Sequence, residues 1–185
     1  GISGAHLAAP GEGQHSWWDQ TSRAHNSVSR IPAQRVATDA ATKPTQETMY
    51  VRHGHFVTGA ECFDRRVFAM SGAEVRATDP SHRVLLEVVL RATEGGGHTK
   101  ASLLGSDAGM FLGIANVSDW LHVQRENNSG IGTFDAHGSD GGAAAGRVSY
   151  LFGLRGSCMS VNTACSSSLV ALDVACLNLR QRACR

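Results

Sequence analysis

Apolar residues recur at helical spacing in the segment that follows Asp79-Pro80. Aspartate can accept hydrogen bonds from the free amides at a helix N-terminus, and proline is tolerated in the first turn. The glycine run at residues 95–97 is expected to end the helix. The apolar positions that share one face are Val84, Leu85, Val88, Val89 and Ala92. The pattern therefore predicts an amphipathic helix from Pro80 to the glycine run.

A second helical pattern lies later in the chain, and two short apolar runs precede it. Residues 109–114 and 157–163 are these runs, which we interpret as buried strands. We expect Thr163 to cap the following helix, with Cys165 in its first turn. The apolar stripe of that helix steps by four and three residues through Cys165, Leu169, Leu172, Cys176 and Leu179. The predicted order is strand, short turn and helix, with a cysteine at the join.

Two polar segments are predicted to carry little regular structure. Residues 36–48 have the composition of an exposed loop, and residues 119–142 are polar and rich in glycine. The 21 glycines and 4 prolines of the chain suit an α/β protein with tight turns and close-packed backbones.

Charge and hydrophobicity exclude several functional classes. Seventeen basic and 16 acidic residues give a net charge of +1 over 185 residues, so nothing favours a nucleic acid or an anionic membrane as a partner. No apolar run reaches the ~20 residues that a membrane span needs, and no secretory leader opens the chain. The 42% hydrophobic content suffices for a buried core. We therefore expect one globular domain without a membrane span.

The cysteines and histidines indicate neither a disulfide framework nor a metal site. The five cysteines are odd in number, widely spaced and without a C-x-x-C pair, so a reducing compartment is the default interpretation. His53 and His55 form an H-x-H pair, but no second cluster of ligands accompanies them. Four further histidines are expected on surface segments: His82, His98, His122 and His137.

Cys165 is the candidate for a catalytic role because of its predicted position. The thiolate is the reactive form of cysteine, and the free amides and partial positive charge at a helix N-terminus favour an anion. The same amides can hold the oxyanion that forms when a thioester carbonyl is attacked. The competing interpretation is structural, because free cysteines on apolar helix faces are commonly buried, and it suits Cys176. Spacing alone leaves both interpretations open for Cys165.

A resemblance to a known family favours the catalytic interpretation. Residues 162–172, NTACSSSLVAL, resemble the active-site signature of the β-ketoacyl synthase domains of modular polyketide synthases and animal-type fatty acid synthases. Residues 146–156 resemble the segment that leads into this signature, and the helix after Asp79-Pro80 resembles an early helix of the family. Asn162 departs from the family's usual aspartate. The resemblance covers nearly all of the chain in order.

The resemblance implies an α/β, thiolase-like fold, which in the complete domain consists of two similar halves stacked as five αβαβα layers. Residues 1–185 would be a partial ketosynthase domain, its N-terminal half, ending just after the nucleophile helix. Cys165 would accept the acyl group, and its backbone N–H would donate to the oxyanion. The acyl and malonyl-type groups would arrive on the phosphopantetheine of an acyl carrier protein. No cofactor or metal would be bound directly.

The resemblance also implies a homodimer in which the strand before the nucleophile helix pairs across a two-fold axis. Two histidines that assist decarboxylation and condensation, and a second oxyanion amide, belong to the family's second half. They have no counterpart here, so this acyltransferase is expected to be inactive in condensation as an isolated fragment. The expected location is the cytoplasm or an organelle lumen.

Two alternatives stay open. The chain could be a non-catalytic ketosynthase remnant that only dimerises or docks a partner. It could also be another thiolase-fold acyltransferase, which shares the cysteine and differs in the second half. Neither the pathway, polyketide or fatty acid, nor the acyl chain follows from the sequence.

Overall fold

The computed structural model of the chain describes residues 18–19, 21–32, 51–57, 59–115, 120–126 and 132–184. These residues fall into two compact units, one within residues 6–59 and the other within residues 60–185. The predicted loop at residues 36–48 lies outside the described residues.

A short antiparallel ribbon organises the smaller unit. Strand β1, Ser29–Arg30, pairs with strand β2, His53–Gly54. Ile31 follows β1 and is buried. His55, from the H-x-H pair, shares a 2.8 Å hydrogen bond between its Nδ1 atom and the Ser27 hydroxyl. No group of three or more metal-binding side chains occurs in the described part of the chain.

The larger unit alternates helices with two strands. No helix among its described residues is long and apolar enough to cross a membrane. A 3₁₀ turn, Ala164–Ser166, joins the last strand to the last helix. In chain order the elements are α1 Gly72–Ala77, α2 Pro80–Gly95, α3 Lys100–Leu103, β3 Met110–Gly113, α4 Trp120–Glu126, α5 Asp135–Ser139, α6 Gly141–Phe152, β4 Cys158–Val161 and α7 Ser167–Arg180.

Strands β3 and β4 form a parallel pair covered by helices on both faces. Met110 lies opposite Cys158, and Gly113 lies opposite Val161. Helices α6 and α7 each pack on both strands but make little contact with each other, so they cover opposite faces. Parallel strands need a crossover connection, and the chain between β3 and β4 carries α4, α5 and α6. This helix–sheet–helix arrangement confirms the predicted α/β class.

Both predicted strands are present, but they are less buried than the apolar runs suggest. The residues of β3 are half-buried, while Cys158 and Met159 at the start of β4 are exposed. Within the described residues no third strand joins the pair, so one edge of each strand is unpaired.

Helix α2 begins and ends as predicted and supplies part of the hydrophobic core. The Asp79 carboxylate accepts a hydrogen bond from the Ser81 N–H over 2.7 Å, which caps the helix. Leu86 on this helix is fully buried. It belongs to a buried cluster with residues before α1 and on α6: Phe68, Met70, Leu86, Val148 and Phe152.

The prediction of little regular structure in residues 119–142 is wrong. This segment contains α4, α5 and the start of α6. Asp140 caps α6 by accepting from the Gly142 N–H over 3.0 Å. Gly138 on α5 lies so close to the Ala77 carbonyl that a Cβ atom would overlap it. The buried residues of α5 and of the first turns of α6 include the small residues Gly138, Gly141 and Ala144, which give a weaker hydrophobic pattern than large apolar side chains.

The expectation that His82 lies on the surface is also wrong, because only 2% of it is exposed. Its Nδ1 atom has no hydrogen-bond partner in the described part of the chain. Burial lowers the pKa of His82 below its ordinary value of 6.5, and the Arg147 guanidinium lowers it further. The carboxylates of Asp79 and Asp140 act in the opposite direction but are outweighed. The folded state therefore favours the neutral imidazole of His82 more than the unfolded chain does.

His82 should make the stability of the chain depend on pH. Its pKa is lower in the folded than in the unfolded state, so protons bind preferentially to the unfolded chain as pH falls below 6.5. We expect the free energy of unfolding in urea to fall as the pH decreases below about 6.5, and His82→Gln to flatten that fall. His98→Gln, at an exposed histidine, is the control and should leave the slope unchanged. Equal slopes in wild type and His82→Gln would contradict the assignment.

Candidate active site

The structure places Cys165 at the join between a strand and a helix, as the sequence predicts. Cys165 lies in the 3₁₀ turn Ala164–Ser166, between β4 and the 14-residue helix α7. Cys165 is an exposed residue. The backbone N–H of Cys165 donates to no protein acceptor among the described residues. The Cys165 thiol thus sits beside an amide that is free to bind an anion.

The prediction that Thr163 caps the helix is wrong. The Thr163 side chain caps neither the 3₁₀ turn nor α7. Its hydroxyl oxygen instead accepts a 2.9 Å hydrogen bond from the Ser166 hydroxyl. Ser167 also holds the turn, because its hydroxyl accepts from the Thr163 N–H over 2.9 Å and donates to the Ala164 carbonyl over 2.7 Å. Sequence reasoning missed this residue, although serines are known to bond to the backbone at turns.

The backbone at Ala164 is in a conformation that L-residues rarely adopt. Its φ angle is 54°, in the left-handed region. That region costs a residue with a Cβ atom roughly 1–2 kcal/mol. The Asn162 side-chain oxygen accepts a hydrogen bond from the Ala164 N–H over 3.2 Å, and the Ser167 hydroxyl holds the Ala164 carbonyl. The hydrogen bonds on both sides offset the strain and fix the sharp turn that exposes Cys165.

The end of strand β3 packs against the start of α7, next to the same turn. A Cβ atom on Gly113 would lie 2.6 Å from the backbone carbon of Ser167 and 2.6 Å from the Ser168 nitrogen. The absence of a side chain at Gly113 therefore lets the first turn of α7 rest directly on the strand. The sequence carries a signal for this contact, since glycine inside a strand often marks a close backbone approach.

The apolar stripe predicted on α7 is exposed rather than buried. Leu169 is 73% exposed and Leu172 is 61% exposed, whereas Ser167 and Ala171 on the same helix are buried. An open groove of about 570 Å³ lies beside β4 and α6, lined among others by Tyr150 and Cys158 and not by Cys165. The groove is therefore not part of the candidate site, and the exposed apolar residues near Cys165 are those of α7, such as Leu169.

Comparison with known proteins identifies the family. The profile of the β-ketoacyl synthase N-terminal domain matches residues 1–185. The chain belongs to the β-ketoacyl synthase family. It is 36% identical over 173 residues to one subunit of the phenolphthiocerol/phthiocerol polyketide synthase of Mycobacterium bovis, covering 92% of the chain and 9% of the relative. It is 40% identical over 171 residues to polyketide synthase GfsB of Streptomyces halstedii, covering 90% of the chain and 3% of that protein.

Solved ketosynthase structures share the fold of this family member. One is the ketosynthase from module 6 of the bacillaene synthase of Bacillus subtilis, with a TM-score of 0.81 and 26% identity over 99% of the chain and 30% of that structure. Another is an oxazolomycin ketosynthase domain of Streptomyces albus, with a TM-score of 0.81 and 27% identity over 99% of the chain and 33% of that structure. The fold is thiolase-like, as predicted. The chain spans a third or less of the length of each of these relatives.

Substitution of Gly113 by alanine should disturb the turn that carries Cys165. The new Cβ atom would press on the backbone of Ser167 and Ser168, so we expect a loss of about 1–3 kcal/mol in the free energy of unfolding and slower alkylation of Cys165. Gly146→Ala on α6 is the matched control, because a Cβ atom there meets open space. The control should be neutral or stabilising by up to about 1 kcal/mol. Urea unfolding and peptide mass spectrometry measure both effects, and an unchanged Gly113→Ala variant would contradict the contact.

Proposed function

We propose that Cys165 is the acyl-accepting nucleophile of a β-ketoacyl synthase. The observation that carries this proposal is the exposed cysteine on a strained turn at the start of α7, with its own unbonded N–H, in a chain of this family. A helix N-terminus favours the thiolate, and the free amide can donate to the oxyanion of a tetrahedral intermediate. Cys165 could therefore supply both the thiolate that attacks a thioester and an N–H that donates to the resulting oxyanion.

In the first step, the Cys165 thiolate attacks the carbonyl carbon of an acyl thioester carried on the phosphopantetheine of an acyl carrier protein. The carbonyl oxygen becomes an oxyanion that accepts a hydrogen bond from the Cys165 N–H. When the intermediate collapses, the bond to the phosphopantetheine sulfur breaks, and that thiolate takes up a proton as it leaves. The product is an acyl group bound to the Cys165 sulfur.

In the second step, a malonyl-type carrier thioester loses carbon dioxide, and the electron pair of the broken bond forms an enolate. The enolate carbon attacks the acyl carbonyl, and the bond between that carbonyl and the Cys165 sulfur breaks. The products are a β-ketoacyl thioester on the carrier and a regenerated thiolate. The resemblance assigns two histidines of this step to a second half of the domain, so we propose that condensation requires that half.

A homodimer and an acyl carrier protein are the proposed partners. One edge of β4 has no strand beside it in the described part of the chain, and Met159 on this strand is 43% exposed. An unpaired strand edge is a template for pairing with a second chain. These features support the dimer that the family resemblance implies.

The exposed apolar face of α7 favours the alternative of a non-catalytic docking module. An apolar helix face with Leu169 and Leu172 can bind a partner without any chemistry at Cys165. The two functions differ in the state of the thiol, since only catalysis requires that Cys165 be activated.

The thiols of the chain provide an internal test of activation. Cys62, Cys158 and Cys165 are all exposed, so access alone should give them similar rates of alkylation by iodoacetamide at neutral pH. We expect Cys165 to react faster, by about twofold to fivefold, because the free amides at an exposed helix N-terminus favour an anion. Peptide mass spectrometry resolves the three sites. Equal rates would favour the docking module.

A second experiment tests whether the chain carries out acyl transfer to Cys165 but not condensation. Incubated with an acyl carrier thioester, the 185-residue chain should gain the acyl mass on Cys165, and the Cys165→Ser variant should not form this thioester. With a malonyl carrier thioester added, neither protein should form a β-ketoacyl product. Product above the level of the Cys165→Ser control would show that condensation does not need a second half.

A further inference from the structure

The hydroxyl of Ser167 has no part in the steps described above, yet it occupies a special position. Ser167 is only 4% exposed, whereas its neighbours Ser166 and Ser168 are exposed. Its oxygen accepts the Thr163 N–H over 2.9 Å, and its hydrogen is donated to the Ala164 carbonyl over 2.7 Å. Because the oxygen accepts from one side, the donated hydrogen is directed to the other. The buried hydroxyl therefore has a fixed orientation.

The carbonyl that Ser167 holds belongs to the same peptide group as the Cys165 N–H. A peptide group is planar, and in the trans form its C=O and N–H point in opposite directions. Holding the Ala164 oxygen towards the buried hydroxyl therefore turns the Cys165 N–H away from the interior of the turn. The Cys165 N–H meets no protein acceptor in the described residues, in agreement with this orientation.

The hydrogen bond also changes the strength of that N–H as a donor. The Ala164 oxygen accepts both the Ser167 N–H and the Ser167 hydroxyl. Hydrogen bonds polarise one another, so two donors on a carbonyl make the N–H of the same peptide group a better donor. The orientation and the polarisation of the Cys165 N–H therefore both favour a hydrogen bond to an acceptor outside the turn.

From this geometry we infer that Ser167 is a positioning residue, which orients and polarises the Cys165 N–H for the oxyanion of acyl transfer. The inference rests on the proposed function of Cys165 and names Ser167 as the residue that positions its N–H. Removal of the hydroxyl leaves the backbone bond from the Ser167 N–H to the Ala164 carbonyl in place, so the effect should be smaller than the loss of an oxyanion donor itself.

Two reactions of the same thiol separate this role from a merely structural one. Alkylation by iodoacetamide displaces iodide at a saturated carbon and forms no oxyanion. Acyl transfer from a hexanoyl-N-acetylcysteamine thioester forms a tetrahedral oxyanion, makes the acyl–Cys165 bond and releases N-acetylcysteamine. If Ser167 acts only by positioning the Cys165 N–H for the oxyanion, its loss should slow acyl transfer and leave alkylation unchanged.

The experiment measures both rates at Cys165 in the full chain by peptide mass spectrometry. We expect Ser167→Ala to slow acyl transfer about fivefold to tenfold, the value of one net hydrogen bond, with alkylation unchanged. Ser167→Thr retains a hydroxyl and should keep the wild-type ratio of the two rates. Ser168→Ala removes an exposed hydroxyl from the same turn of helix and should change neither rate.

The outcomes are distinguishable. An equal fall in both rates, or no fall in either, in a folded Ser167→Ala variant would overturn the role of Ser167 and leave the proposed function in place. Alkylation without any acyl transfer in the wild-type chain would overturn the proposed function, and this inference with it.

Amide hydrogen exchange of the wild-type chain decides the question should Ser167→Ala not fold. The Thr163 amide should be protected from exchange by its bond to Ser167, and the Cys165 amide should not. A protected Cys165 amide would overturn the inference.

Discussion

The contact between the end of β3 and the first turn of α7 is the constraint on which the site depends. Gly113 leaves room for the backbone of Ser167 and Ser168 to rest on the strand, and no larger residue fits there without a shift. The parallel pairing of Gly113 with Val161 fixes where β4 ends relative to this contact. The chain must then pass from Val161 to Ser167 within a few residues, which produces the sharp turn at Ala164 and the exposure of Cys165.

Several weak interactions hold that turn in place of a single strong one. Asn162, Ser166 and Ser167 each bond to backbone groups of residues 163–164. Further back, the Ser160 hydroxyl donates to the Gly142 carbonyl over 3.2 Å and so ties β4 to α6. The Arg147 guanidinium on α6 in turn lies 3.2 Å from the Glu74 carboxylate on α1. The position of the thiol is thereby linked to helices on the other side of the strand pair.

How much could be predicted from the sequence depended on whether the signal was local. Helix α2 was predictable because Asp79, Pro80 and the glycine run mark its ends. The join at Cys165 was predictable from the order of apolar runs and the family signature. Helix α5 escaped detection because its buried residues, Asp135 and Gly138, form no apolar stripe. Helix α6 could have been detected, since its buried apolar residues recur at helical spacing from Ala144 to Phe152. The burial of His82 could have been inferred, since it precedes Leu86 by one helical turn and shares its face.

The details of the site were out of reach for a different reason. The Ser167 hydroxyl makes its two hydrogen bonds within a turn where Ala164 has a positive φ and where α7 rests on β3, and this geometry has no local sequence signal. A serine in a run of three serines gives no hint of which hydroxyl turns inward. Tertiary structure selects Ser167, and the exposed Ser168 differs from it only in the face of the helix it occupies.

The parallel pairing of β3 with β4 also determines when the site can form during folding. Met110 meets Cys158 only after the crossover helices between them have brought the second strand back, and such long-range pairing is slow because loop closure precedes any gain from contacts. On the ribosome, β3 lacks its partner strand until synthesis has passed Val161, and it lacks one of its covering helices until synthesis has passed Arg180. The turn that carries Cys165 can therefore form only after both β4 and α7 have been made, and β3 has no partner strand until β4 emerges.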